Sequence, residues 1–86
     1  MEAVTYKDFL AKLRKTPRKW RFYYDSKMIR YHDGSCPIAT VIGDSAFSEK
    51  SYGLRFRRRV MNAADGHTHS QTRRDLLKAC GLKEKP

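Results

Sequence analysis

Residues 20–32 read WRFYYDSKMIRYH, and the alternation in this stretch decides the fold class. Trp20, Phe22 and Tyr24 alternate with Arg21, Tyr23 and Asp25, and a second run covers Met28–His32, the pattern of two short strands with one buried face. A turn at Ser26-Lys27 pairs Tyr24 with Ile29 and Phe22 with Tyr31. Trp20, Phe22, Tyr24, Ile29 and Tyr31 then share one face, while Lys19, Arg21, Tyr23, Arg30 and His32 share the other. A slip of one residue would set Arg30 against Phe22 and mix the faces, so parity is fixed by the pattern. Ser-Lys is poor chemistry for a two-residue turn, and a longer loop of the same parity serves equally well.

Helices are expected on either side. Upstream, Thr5 and Asp8 have capping-box spacing, and Val4 with Phe9 occupy the positions of a hydrophobic staple. Tyr6, Phe9, Leu10 and Leu13 follow at helical spacing, a stripe suited to covering the aromatic face of the hairpin. Pro17 biases Thr16 away from helix, which stops this element near Lys15. Downstream, Ser35 or Cys36 can cap a short helix from Pro37 to Gly43, and Asp44–Ser51 reads as a loop. A third helix is expected from about Tyr52 to Asp65, stopping at Gly66, with Phe56, Val60, Ala63 and Ala64 on its apolar face. After a loop at His67–Ser70, Ser70 or Thr72 caps a last helix whose apolar side is Leu76, Leu77 and Cys80. Gly81 fits its left-handed terminus, with Leu82 folding back onto Leu77. Lys83–Pro86 is expected to fray. The expectation is a single α+β domain over residues 1–86, in the order α-β-β-α-α-α, with helices packed on one face of a β-hairpin.

Composition limits what such a domain does. The 86 residues carry 19 Lys+Arg against 9 Asp+Glu, a net charge of +10. A domain this small buries only about 60% of its unfolded surface, so self-repulsion weighs heavily on it and points to a polyanionic partner. Lys12–Arg21 holds six cations and no acid. No apolar stretch approaches the ~20 residues of a membrane span, and Asp8, Lys12 and Arg14 break up any N-terminal leader. Two cysteines fall short of a secreted disulfide scaffold, which suggests a cytoplasmic protein with reduced thiols.

Several stretches resemble ones that recur in small bacterial, phage and mobile-element proteins to which no function is attached. They are LRKTPRKW (13–20), IR (29–30) followed by CPI (36–38), and AADG (63–66) leading into RDLLKACGL (74–82). The resemblance implies a bacterial or mobile-element origin and brings no activity, ligand or catalytic residue.

Candidate binding residues follow from charge and face. Lys19, Arg21, Tyr23 and Arg30 project from the polar side of the hairpin, with Tyr23 placed to stack on a base among cations. Arg55, Arg58 and Arg59 line one side of the third helix beside Asn62, where they repel one another unless an anion lies across them. The competing reading is a fan neutralised by Asp44, Glu49, Asp65 or Asp75. Arg73 and Arg74 sit early in the last helix, where a helix-turn-helix would offer Ser70, Gln71, Arg73 and Arg74 to base edges. A plain helical hairpin accounts for the same pattern.

Catalytic and metal sites find less support. His32, Cys36, His67, His69 and Cys80 lack zinc-site spacing, and Cys36 before Pro37 reads as a cap or a small core residue. No phosphate loop or nucleotide fingerprint occurs. The expectation is a non-enzymatic protein with no metal or cofactor, which binds nucleic acid (DNA or RNA) mainly through phosphates. An acidic protein surface is the alternative partner, and neither a membrane nor a small-molecule substrate is expected.

Overall fold

The computed structural model describes residues 4–43 and 54–84. The first helix, α1 (Tyr6–Lys15), begins where its cap chemistry requires, with the Asp8 N–H donating to Thr5 Oγ1 at 3.0 Å. Phe9, Leu10 and Leu13 are buried along one stripe. Thr16 turns to extended backbone (ψ 138°) ahead of Pro17 and ends the helix.

Strands β1 (Trp20–Tyr23) and β2 (Met28–Tyr31) pair antiparallel, with Trp20 opposite Tyr31 and Phe22 opposite Ile29. The two faces keep the expected parity, but the register is displaced by two residues from a Ser26-Lys27 turn. The connection is Asp25-Ser26 (φ 58° and 66°), closed by the Lys27 N–H on Tyr24 O at 3.2 Å. A two-residue hairpin turn of this kind, type I′, needs positive φ at both central positions, which Asp tolerates better than Lys. Tyr24 consequently leaves the apolar face: it sits at the turn with φ 54° and is 76% exposed.

The short α2 (Pro37–Val41) is capped by Cys36, whose Sγ accepts from the Ala39 N–H at 3.4 Å. The third helix, α3 (Arg57–Ala64), starts later than the sequence pattern suggests, because Leu54 and Arg55 lie in a turn closed by the Arg57 N–H on Leu54 O. The expected loop at Asp44–Ser51 and the Tyr52 helix start lie outside the described residues. The last helix, α4 (Gln71–Cys80), has Ser70 at its N-cap and Gly81 in the left-handed region (φ 73°). The Leu82 N–H returns to Leu77 O at 2.9 Å, a Schellman closure. Gly66 (φ 82°) ends the α3 unit in a place where only glycine fits. A Cβ there would stand 2.9 Å from Lys27 Cβ and 3.0 Å from Lys27 O.

The core joins Phe9, Leu13, Ile29, Ile38, Val60 and Leu76, all fully buried, with Trp20 at its edge. The ring of Trp20 meets Tyr31 edge to face at 4.9 Å. The fold is α+β, with helices packed on a two-stranded hairpin. The helices that chiefly cover β2 are α2 and α3, whereas α1 packs mainly against α2 and α4. The α1 stripe therefore closes the helical layer rather than capping the aromatic face of the hairpin. Among the described residues no helix is long and apolar enough to cross a membrane.

Candidate nucleic-acid interface

Burial of Val60, Ala63 and Ala64 fixes how α3 is rotated and turns Arg58, Arg59 and Asn62 outward. Arg55 joins them from the turn ahead of the helix, so the arginine stripe is part turn and part helix. Facing it are His67 and Ser70, from the α3–α4 loop and the N-terminus of α4. Together these groups bound an open cleft of about 500 Å³.

Of the four acids expected to neutralise these arginines, the two among the described residues, Asp65 and Asp75, are engaged elsewhere. Asp65 pairs with Arg30. Asp75 accepts from the Tyr6 hydroxyl at 2.9 Å and from Gln71 Nε2 at 2.9 Å. Burial, reinforced by Asp75, pushes the Tyr6 phenol up to about 12. Arg59 lies with its guanidinium carbon 4.6 Å from the centre of the Tyr6 ring, a cation–π contact that aims it without discharging it. Asp44 and Glu49 lie outside the described residues. No carboxylate among the described residues pairs with Arg55, Arg58 or Arg59.

The N-terminus of α4 is open on the same cleft. Ser70 makes no capping hydrogen bond, and its Oγ is shut off from solvent without a partner. Its backbone N–H is taken by Thr68 Oγ1 at 3.1 Å. The amides of Gln71 and Thr72, in the first turn, have no intrahelical acceptor.

The other candidate residues divide between available and committed. Lys19 and Arg21 are exposed on the hairpin. Tyr23 is half-buried and donates its hydroxyl to His32 O at 3.2 Å. Arg30 stands directly across the ladder from Arg21, a like-charge pairing that Asp65 relieves by taking the Arg30 guanidinium. Arg73 is not a surface residue at all: it is 3% exposed. Its guanidinium donates to Ala63 O at 2.6 Å and Ser26 O at 3.4 Å, and pairs with Glu84. Glu84 is thereby tied to the body of the domain, in place of the fraying expected from Lys83; Lys85 and Pro86 lie outside the described residues. Arg74 is exposed but anchored, through Nη1 to His69 O at 3.0 Å and Nε to Gln71 Oε1 at 3.2 Å. With Arg73 buried and Gln71 held between Arg74 and Asp75, the early α4 residues are poorly disposed to read base edges as a recognition helix.

The arginine cleft was legible in the sequence as a charged stripe, but its opposite wall was not. Ser70 and His67 enter through the turn geometry of the α3–α4 loop, which no local pattern announces. Cys36 is occupied as the α2 cap, and burial pushes the Cys80 thiol up to about 12. Among the described residues no three His, Cys, Asp or Glu side chains lie close enough together to hold a metal ion. No protein-family model matches the chain, and no curated protein or solved structure gives a match.

Proposed function

We propose that this protein binds nucleic acid through the phosphate backbone, with the α3–α4 cleft as the principal contact. One observation carries the reading. Arg55, Arg58 and Arg59 converge on one cleft while the described acids nearest in sequence to α3 and α4, Asp65 and Asp75, are spent on Arg30, Tyr6 and Gln71. Three guanidiniums held together in this way favour an anion across them, and a strand of phosphates supplies one at every step. Lys19 and Arg21 extend the basic surface onto the hairpin. Arg30 and Arg73 contribute through structure, and Arg74 contacts phosphate only from its anchored position.

Fluorescence anisotropy with labelled single- and double-stranded DNA and RNA at several salt concentrations tests this reading. With three to four phosphates neutralised, log K on duplex DNA should fall against log[salt] with a slope of about −3. Replacing Arg58 and Arg59 together with alanine should make the slope shallower by about two units. An unchanged slope would move the contact away from the cleft. Absence of salt-sensitive binding to any nucleic acid would overturn the function and favour an acidic protein surface.

A further inference from the structure

We infer that the α3–α4 cleft seats a terminal phosphate, the phosphomonoester at the end of a nucleic-acid strand, in preference to an internal phosphodiester. The inference rests on the nucleic-acid reading above and specifies what the cleft recognises.

Donor capacity is the first argument. An internal diester offers one negative charge and two free oxygens. A monoester carries about −1.5 to −2 at neutral pH and offers three acceptor oxygens. The cleft presents Arg55, Arg58 and Arg59 from one wall, with Asn62 among them. From the other come the N-terminus of α4, with two amides that lack intrahelical acceptors, and Ser70. That is more donor capacity and more positive charge than any one diester can use, and it suits a dianion at a strand end; on an unphosphorylated strand or an intact duplex the same arginines spread over successive diesters.

Ser70 is the second argument, independent of the arginines. A hydroxyl at an N-cap ordinarily accepts from an amide of the first turn. Here it caps nothing, and Oγ has no partner although solvent does not reach it. An unsatisfied buried hydroxyl is costly to the fold. Ser70 lines the cleft, and a phosphate seated there would offer this hydroxyl the acceptor it lacks.

Size is the third. A cleft of about 500 Å³ falls within the range of small-molecule sites and exceeds what a bare phosphate needs. It has room for the terminal nucleotide together with its phosphate, with the rest of the strand leaving over the exposed arginines.

The test uses the intact protein and four single-stranded oligonucleotides of one sequence: 5′-phosphorylated, 3′-phosphorylated, phosphorylated at both ends, and with hydroxyls at both ends. Anisotropy competition should show at least one phosphorylated end binding about tenfold tighter than the doubly hydroxylated strand. Ser70→Ala should cut that preference several-fold, read as the ratio of phosphorylated to hydroxylated affinity. Since the parent protein alone reads the preference, a poorly folded variant would not blur the outcome. Equal affinity for all four strands would overturn the terminal-phosphate inference and leave the nucleic-acid reading standing. Binding of none of them would overturn both. Preference for free inorganic phosphate, measured as full displacement of the phosphorylated strand at equal concentration, would show that the nucleotide contributes nothing and would overturn it as well.

Discussion

Arg73 and Arg58 belong to the same helical hairpin, and they have opposite fates. Arg73 is buried on the inner side of α4, with two carbonyls and a carboxylate around its guanidinium. Arg58 stands exposed on the outer side of α3, with no carboxylate partner among the described residues. Net charge does not distinguish them. The difference lies in acceptors: where a guanidinium can reach carbonyl and carboxylate oxygens inside the domain, it becomes part of the fold. Where it cannot, it remains available to a ligand. In a chain with 19 basic and 9 acidic residues, this division decides which cations are structural.

Removing the inner arginine should have the largest effect. Arg73→Ala removes one donor from Ala63 O, which keeps the Gly66 N–H at 3.3 Å, and opens a hole at the junction of hairpin, α3 and α4. A loss of about 3 kcal/mol is expected, a large share of the stability of a small domain. Arg73→Met, which restores apolar volume but no hydrogen bonds, should recover part of it. Urea melts of both variants measure this. If Arg73→Ala melted like the parent, the inner and outer arginines would not differ in kind.

A pH series probes the same inner face at intermediate size. Burial holds the Cys80 thiol near 12 in the folded protein, against an ordinary value near 9, and the Tyr6 phenol near 12 against 10. Both folded values are raised, so each group's contribution is fully present below its unfolded value. It is lost as pH rises through the window up to the folded value. The urea midpoint should therefore begin to fall above about pH 9 as the unfolded thiol ionises. Cys80→Ala should delay that fall toward pH 10, where Tyr6 takes over. A midpoint that is flat to pH 11 in the parent would place both the Cys80 thiol and the Tyr6 hydroxyl in contact with water.

The outer pair should matter least to stability. Arg58→Ala with Arg59→Ala should change it by less than about 1 kcal/mol, chiefly through the lost contact of Arg59 with the Tyr6 ring. Calorimetry beside the salt-slope measurement separates folding from binding. A loss as large as that for Arg73 would mean that the cleft arginines are structural too.

Much of this architecture was legible before any coordinates. Thr5, Pro17, Cys36-Pro37, Gly66 and Gly81 mark helix ends through local backbone chemistry, and that chemistry acts within four residues. Hairpin parity was legible for the same reason. Its register was not, because the tolerance of Asp25 for positive φ had to be weighed against that of Lys27. Arg73 carried a signal that charge obscured. It stands in phase with Leu76, Leu77 and Cys80 at the i, i+3, i+4, i+7 spacing of a buried stripe. The partnership of Arg30 with Asp65 had no local signal, since the two are 35 positions apart. The second wall of the cleft was hidden similarly, as it depends on how the α3–α4 loop returns.

The three contacts of Arg73 also bear on the order in which the chain assembles. They reach 10 positions back to Ala63, 11 forward to Glu84 and 47 back to Ser26. The β-hairpin and the α3–α4 pair can each form from near neighbours, but this guanidinium is satisfied only after the two have docked. Its bond to Ser26 therefore belongs after the rate-limiting step, and the full set is complete only then, which gives Arg73 a low φ-value. Stopped-flow chevrons of Arg73→Met should show a faster unfolding limb and a refolding limb superimposed on that of the parent. A slower refolding limb would place docking within the folding nucleus. The inner arginine then governs how long the folded state lasts, and has little say in how quickly it is reached.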